Sequence, residues 1–237
     1  MEQSRPVAAS DSEPNEGPGR TARKRRFILQ AAEALFLERG FVGASVDDVA
    51  SRASVSKQTV YKQFESKAAL FVAVVLHMTG QASDRVQVEM RDPETEAEVV
   101  DALMGHGQRL LNIALAPELL RLRRLVISET DRFPELGRAL YAGGPGRAIA
   151  GLAAALQRWT DRGLLVLDEP TVAATQFNWL VMGDPVNRAM FFGAVHLSAT
   201  EQQRHLTQSV RVFLAAYGCA PATDNKRQAL LAAIHAE

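Results

Sequence analysis

Apolar residues recur every three or four positions along most of this chain, from residue 21 to residue 217. One such stripe, formed by Ile28, Ala32, Leu35 and Phe36, follows the spacing of a single helix face. No stretch alternates apolar and polar residues for long enough to favour a strand. The sequence therefore predicts an all-α protein. The expected helices cover residues 21–40, about two turns from residue 45, then 57–64, 67–88, 94–114, 117–130, 134–163 with a break at 143–146, 170–183 and 199–217.

Helix-start signals support these boundaries. Ser45 and Asp48 form an S-x-x-D start, in which the hydroxyl caps a free amide and the carboxylate lies in the positive first turn. Ser56 is placed to cap the next helix in the same way. Prolines stand where a missing amide hydrogen costs least, at Pro93, Pro117, Pro134 and Pro170.

Composition and periodicity divide the chain into four parts. Residues 1–20 contain three Pro and two Gly and few apolar side chains, which predicts a disordered tail. Residues 21–81 form a small basic helical unit, with the two short helices at 45–64. Residues 82–218 form a larger helical domain, and 219–237 a C-terminal tail.

Cys219 is the single cysteine, so one chain can form neither a disulfide nor a cysteine-based metal cluster. The longest apolar run, at residues 68–76, is much shorter than the roughly 20 residues of a membrane-spanning helix. The first residues lack the apolar segment of a secretory signal. We therefore expect a soluble, cytoplasmic protein with no cofactor, no metal and no membrane partner.

Positive charge is concentrated in one block of the sequence. Over the whole chain, 27 Lys and Arg balance 27 Asp and Glu. Residues 21–67 nevertheless carry nine basic and five acidic residues, a net charge of +4. The basic run Arg23 to Arg26 falls in the first turn of the expected first helix, where positive charge opposes the helix dipole. A bound phosphate could offset this unfavourable interaction. On charge alone, a nucleic-acid partner and an unevenly charged solvated surface are equal alternatives.

Two short helices three residues apart, behind a longer first helix, are typical of a helix-turn-helix. In the second short helix, Val60 and Phe64 share one face and are expected to pack inward. The opposite side then carries groups able to reach base edges or phosphates. A plain structural helix pair is the alternative, and the basic block favours DNA. The expected DNA-binding residues are Ser45, Ser56, Lys57, Gln58, Thr59, Tyr61, Lys62 and Lys67.

These residues have different expected roles. Gln58 and Lys62 lie opposite the inward face, so we expect them to read base edges. Tyr61 and Lys67 suit phosphate oxygens. Thr59 has a short side chain that suits phosphate better than bases.

Residues 21 to about 80 resemble the DNA-binding region of tetracycline-repressor (TetR) family transcriptional regulators. The most specific match is the stretch VSKQTVYKQFESKAAL over residues 55–70, with ILQAA at 28–32, Gly40-Phe41 and SVDDVA at 45–50. Later in the chain, Phe133-Pro134-Glu135-Leu136 and Gly183-Asp184-Pro185 are similar to family members of the efflux-regulating kind, with an AefR-like C-terminal domain. Gln58, Lys62 and Glu65 replace residues that many relatives carry, so the operator sequence is not predicted.

The resemblance implies a homodimeric repressor of double-stranded DNA, with an inverted-repeat operator and an unknown small-molecule effector. The C-terminal domain would bind the effector and pair with a second copy through its last two long helices. Effector binding would tilt the helix that starts at Lys67 and change the separation of the two recognition helices. DNA would then disfavour the effector by the same factor.

Two further residue groups are candidates for these roles. The last long helix carries an apolar stripe that suits a dimer bundle, although packing within one chain explains it equally well. Its members are Leu206, Val210, Phe213, Leu214 and Tyr217. The candidate ligand-binding residues are His106, Phe177, Asn178 and Trp179, with core packing or a surface position as the alternative.

The sequence argues against an enzyme. The five histidines include no i, i+4 pair, and the chain contains neither a P-loop nor a G-x-S-x-G motif. A chain without strands also lacks the usual nucleotide-binding turn. Two alternatives remain open: a DNA-binding regulator without a small-molecule ligand, and a scaffold dimer that does not read DNA.

Overall fold

The computed structural model describes residues 18–86, 92–193 and 197–218. These residues fold into helices joined by short connections, with no strand in the described ranges apart from an isolated bridge between Leu165 and Gly218. The predicted all-α fold is confirmed. The helices are α1 (Pro18–Gly43), α2 (Val46–Arg52), α3 (Lys57–Gln63), α4 (Lys67–Val86), α5 (Glu96–Ala114), α6 (Pro117–Glu129), α7 (Pro134–Gly143), α8 (Pro145–Asp161), α9 (Pro170–Phe192) and α10 (Ala199–Tyr217).

Local start signals set most helix boundaries, as predicted. Ser45 Oγ accepts a hydrogen bond from the Asp48 amide at 3.0 Å, and the Asp48 carboxylate accepts one from the Ser45 amide at 3.2 Å. This capping box begins α2. Ser56 Oγ accepts from the Thr59 amide at 3.1 Å and begins α3. Prolines begin α6, α7 and α9, at Pro117, Pro134 and Pro170.

Two predicted helix starts are wrong. Helix α1 begins at Pro18, so the run Arg23 to Arg26 lies in its second and third turns. The expected conflict with the helix dipole is weaker there, since the dipole acts mainly on the first turn. Helix α5 begins at Glu96, three residues after Pro93, because Thr95 caps it.

Helix α1 breaks at Gly40, where the sequence places its end. The φ angle of Gly40 is 72°, a conformation that favours glycine. Phe41 then turns inward, with its ring centroid 5.4 Å from that of Phe71 on α4. This contact fixes the end of α1 against the start of α4.

Helix α9 is longer than predicted, because it continues past residue 183 to Phe192. Pro185 cannot donate the backbone hydrogen bond that the Val181 carbonyl would otherwise accept. His205 on α10 replaces it, with Nε2 2.8 Å from the Val181 oxygen. A hydrogen-bond donor on another helix therefore replaces the backbone hydrogen bond that α9 lacks at its buried proline.

Two clusters of buried apolar residues form the interior. The first joins α1 to α4 with one side of α6 and α7, and includes Phe36 and Phe71. The second joins α5, α8, α9 and α10, and includes Trp159, Phe177 and Phe213. Helix α4 contributes to both clusters, so the boundary predicted at residue 81 falls inside a continuous helix.

Some sequence predictions lie outside the described residues. These are residues 1–17 of the predicted N-terminal tail, and the C-terminal tail from Cys219 onward. Within the described part of the chain, no helix is long and apolar enough to cross a membrane. The same part contains no group of three or more His, Cys, Asp or Glu side chains arranged to hold a metal ion.

Candidate nucleic-acid interface and ligand cleft

In and just after helix α3, the residues predicted to face the core are buried, and those predicted to face solvent are exposed. Val60 is 1% exposed, and Phe64, the residue after the helix, is 5% exposed. Gln58 and Lys62 are exposed on the other side, and Tyr61 is 45% exposed. The helix therefore presents an amide, an ammonium group and a phenol to solvent, the groups that read bases and hold phosphates.

The predicted hydroxyl residues are engaged in local structure. Ser45 Oγ donates to the Asp48 carboxylate at 2.7 Å, and this hydrogen bond holds the pKa of Asp48 below its usual value. Ser56 Oγ and Thr59 Oγ1 lie 2.8 Å apart in a second hydrogen bond. These three hydroxyls hold the starts of α2 and α3, which leaves them less free to donate to a phosphate.

Two of the three predicted lysines have partners within the chain. Lys57 Nζ lies 2.9 Å from Asp47 Oδ2, and this hydrogen bond raises the pKa of Lys57. Lys67 Nζ lies 4.5 Å from the centre of the Phe41 ring, and partial burial lowers the pKa of Lys67. Lys62 extends from the exposed side of α3 with no hydrogen bond or ion pair to the residues that the structure describes.

The basic run of α1 lies beside the C-terminal end of α3. The Arg25 guanidinium lies 4.3 Å from the centre of the Phe64 ring, and Nη1 donates to the Gln63 carbonyl at 3.2 Å. Arg23 and Arg26 are exposed next to it. The positive surface therefore extends from α3 onto a helix 38 residues earlier in the chain.

A cleft opens where α4, α5, α6 and α9 meet the junction of α7 and α8; we call it the α4–α9 cleft. Its cavity volume is about 60 Å³, below the roughly 300–1,000 Å³ of small-molecule sites, so a larger ligand would have to widen it. Its walls are mainly apolar, and Arg123 is the charged residue among the described residues that line it. The lining residues are Thr79, Ala82, Ser83, Val86, Leu110, Ile113, Ala114, Leu119, Arg123, Leu140, Gly144, Pro145, Ala148 and Met182.

The four predicted ligand-binding residues do not line this cleft. Phe177 is fully buried, and its ring centroid lies 6.1 Å from that of His106. Asn178 is buried next to Phe177, whereas Trp179 is 45% exposed on the outer side of α9. Phe177 therefore belongs to the second core and Trp179 to the surface.

Two buried polar side chains lack partners in this interior. His106 is 3% exposed and Asn178 is 2% exposed. His106 Nδ1 and both amide atoms of Asn178 have no hydrogen-bond partner among the described residues. Burial lowers the pKa of His106 to about 4, so its ring is neutral near pH 7. Each residue lies one helical turn before a residue that lines the cleft, Leu110 on α5 and Met182 on α9.

The apolar stripe of α10 faces its own chain. Leu206, Val210 and Phe213 are 1%, 3% and 1% exposed, and Leu214 and Tyr217 are partly buried against the same core. Packing within one chain, the alternative that the sequence left open, accounts for the first three. These three side chains have almost no exposed surface for contact with a second copy. A dimer interface on α10 would therefore have to use another face of the helix.

Sequence reasoning missed Arg123 and the cleft itself. Arg123 lies in the run RLRR at residues 121–124, which resembles an ordinary solvated helix face. Its surroundings in the cleft come from five other helices, α4, α5, α7, α8 and α9, most of them far away in sequence. No local pattern carries that information.

Two family models match the chain. Residues 28–74 match the model described as bacterial regulatory proteins, tetR family, and this range contains α2 and α3. Residues 101–219 match the C-terminal domain of AefR-like transcriptional repressors, half of the chain.

Solved structures and curated relatives agree with these matches. A TetR-family regulator from Mesorhizobium loti is 39% identical with a TM-score of 0.76, over 84% of this chain and 98% of that one. The flavonoid-responsive regulator FrrA is 30% identical with a TM-score of 0.72, over 84% of this chain and 100% of that one. YdeS from Bacillus subtilis, an uncharacterized HTH-type transcriptional regulator, is 36% identical over 99 residues. That match spans 42% of this chain and 46% of YdeS, less than half the length of the relative. The chain belongs to the TetR family of helix-turn-helix transcriptional regulators, and not to a family of enzymes.

Proposed function

We propose that this chain is a homodimeric repressor that binds an inverted-repeat operator and leaves it when a small molecule occupies the α4–α9 cleft. The observation that carries the proposal is the exposed side of α3, with Gln58, Tyr61 and Lys62 supported from behind by Val60 and Phe64. The match to AefR-like repressors supports the direction of regulation. The name of FrrA, a flavonoid-responsive regulator, supports a small-molecule effector.

Helix α3 is the element that would enter the major groove, which is wide enough for one helix. Gln58 and Lys62 would then face base edges, since both extend from the side opposite the core. Helix α3 has only seven residues, so one copy touches few base pairs. Two copies related by a two-fold axis would read two half-sites, which favours an inverted repeat.

Phosphate contacts would come from both sides of α3. Tyr61 offers its hydroxyl, and Arg23 and Arg26 of α1 offer exposed guanidinium groups. Lys57 and Lys67 would have to exchange their contacts within the chain for a phosphate. Each phosphate neutralised in this way releases counterions, so binding should weaken steeply with salt.

The outer faces of α9 and α10 form the proposed dimer interface. The two helices pack through contacts such as Ser209 Oγ, which donates to the Leu180 carbonyl at 3.2 Å. Trp179 directly precedes Leu180 and is 45% exposed, and Val212, three residues after Ser209, is 52% exposed. An exposed tryptophan and valine beside a helix pair suit an apolar homodimer interface.

Helix α4 connects the cleft to the DNA-binding helices. It starts at Lys67, three residues after Phe64, and lines the cleft with Thr79 and Ser83. Ser83 Oγ also donates to the Gly143 carbonyl at 2.6 Å, at the junction of α7 and α8. A ligand wedged between α4 and this junction would move α4 and with it α3, so effector and DNA would oppose each other.

Selection of bound duplexes from a random pool, with the full chain, tests the DNA-binding part. The expected product is an inverted repeat with two equal half-sites, bound by one dimer. A promoter that contains this repeat should be less active when the chain is present. Recovery of no preferred sequence would overturn the proposal, and a more active promoter would make the chain an activator.

Release of the selected duplex tests the effector part. Flavonoids and aromatic acids form the first panel, and at least one compound is expected to release the chain. Ala82→Phe would fill the mouth of the cleft, while Gln81→Phe adds the same ring on the exposed side of α4. The first variant should bind the operator and resist release, and the second should behave like wild type. Failure of the whole panel would favour a regulator that works without a small-molecule ligand.

A further inference from the structure

Arg123 lies in the wall of the α4–α9 cleft with no counter-charge among the residues that the structure describes. Its side chain is half-buried, and no described residue forms an ion pair or hydrogen bond with its guanidinium. Burial lowers the pKa of Arg123, with no opposing effect from a nearby acid. The next residue is different, because Arg124 Nη2 donates to the Ala189 carbonyl at 2.6 Å.

An unpaired, partly buried guanidinium is unfavourable, since it loses water contacts and gains none in return. Arginine does not lose its proton in proteins, so deprotonation cannot relieve this cost. An anion in the cleft would relieve it. A carboxylate suits the site best, because its two oxygens can accept two parallel hydrogen bonds from the guanidinium.

The rest of the wall is apolar or already satisfied. Leu110, Ile113 and Met182 present apolar side chains to the cleft. Thr79 Oγ1 donates to the Val75 carbonyl at 2.7 Å, and the Ser83 hydroxyl donates to Gly143. A ligand would therefore find one strong charged partner and an otherwise apolar surface.

We propose that the effector of this regulator is an organic acid with an apolar body, whose anionic group pairs with Arg123 while its body packs against Leu110, Ile113 and Met182. This inference rests on the proposed function, because it names the chemical class of the effector of that same cleft. It makes Arg123 the specificity-determining residue: a neutral molecule of the same shape would leave the guanidinium unpaired.

Matched pairs of acids and their primary amides test the charge requirement. The pairs are naphthalene-2-carboxylate, biphenyl-4-carboxylate and decanoate, each with its amide, titrated into the full chain by calorimetry. Each acid that binds should do so about tenfold more tightly than its amide, the effect expected of one charge-assisted bidentate contact. Arg123→Met should remove this preference, and Arg123→Lys should keep part of it.

Arg121→Met is the matched control, because Arg121 lies on the same helix with an exposed side chain. It should keep the wild-type preference for acids. The proposal is overturned if no acid in the panel binds, if amides bind as tightly as acids, or if Arg123→Met keeps the preference.

Release of the selected duplex, measured with the same compounds, separates this inference from the proposed function. Acids that bind through Arg123 without releasing DNA would support the ligand class and contradict effector control. Amides that bind and release DNA would contradict the ligand class and support effector control.

Discussion

At the residue scale, adjacent positions of α3 face opposite environments. Val60 is 1% exposed, whereas its neighbour Tyr61 is 45% exposed. This contrast follows from the helical repeat, in which Val60 and Phe64 lie on one face. The exposed residues of α3 therefore contribute little to the core and can be replaced with little expected effect on folding.

We expect Gln58→Ala to weaken binding to the selected operator by about 1–3 kcal/mol and to relax preference at one symmetric pair of positions. The reason is that the Gln58 amide, exposed on α3, is proposed to bond a base edge. Fluorescence anisotropy gives the affinity, and a repeated selection gives the preference. Gln30→Ala, at an exposed position of α1, should change neither. An unchanged selected sequence for Gln58→Ala would show that this residue does not read a base.

Burial of His106 should make stability depend on pH. Its pKa is about 4 in the folded chain and 6.5 in an unfolded one, so the unfolded state takes up the proton first as the pH falls. Stability from this group is therefore complete above pH 6.5 and is lost between pH 6.5 and 4. By linkage, the loss is about 2 kcal/mol at pH 5.

We expect His106→Leu to remove this loss. Its free energy of unfolding relative to wild type should increase by about 2 kcal/mol between pH 7.5 and pH 5, measured by urea denaturation. Asn178→Leu is the control, because Asn178 is equally buried and does not titrate. Its difference from wild type should be the same at both pH values. A His106→Leu difference that also stays constant would mean that the ring takes up its proton in the folded chain at the same pH as in the unfolded one.

At the element scale, the sequence predicts best what adjacent residues decide. The starts of α2 and α3 are predicted to the residue, because Ser45 and Ser56 bond amides three positions away. The continuation of α9 through Pro185 is not predicted, because its replacement donor is His205 on another helix. The same distinction applies to the candidate sites. The exposed face of α3 is predicted from the helical repeat, whereas the surroundings of Arg123 depend on contacts between distant elements.

The contact between α4 and the end of α7 gives an element-scale prediction. A Cβ atom at Gly143 would collide with the side chain of Thr79, which faces it from α4. We expect Gly143→Ala to lower the free energy of unfolding by about 1–3 kcal/mol, the usual cost of overpacking. Gly80→Ala is the matched control, since a Cβ there meets no atom within 4 Å and α4 gains a better helix former. It should raise the free energy by about 0.5–1 kcal/mol in the same urea experiment. Equal stability of Gly143→Ala and wild type would show that α4 and α7 separate easily, with no tight contact to carry a signal.

At the scale of the whole molecule, α4 is shared by both cores. Its first half packs with the DNA-binding helices through Leu70 and Phe71, and its last residue, Val86, belongs to the second core. A ligand in the cleft therefore needs to move only one helix to affect α3. In a dimer, such movement in both copies would change the spacing of the two α3 helices. Displacement of one α3 helix alone would already prevent both helices from fitting a fixed pair of half-sites.

This mechanism requires a dimer, and a substitution at Val212 is the sharpest test of where the dimer interface lies. Val212 is 52% exposed on the outer side of α10, so Val212→Arg should leave the folded chain intact. In the proposed interface, the unpaired cation would cost several kcal/mol and separate the copies. We therefore expect a folded monomer by light scattering and circular dichroism, with weak operator binding although every α3 residue is intact. Ile127→Arg makes the same change at a 59% exposed position of α6 and should remain a dimer that binds normally. A Val212→Arg chain that stays dimeric would place the dimer interface on another face, and the spacing of the α3 helices would then have to be set by a different pair of elements.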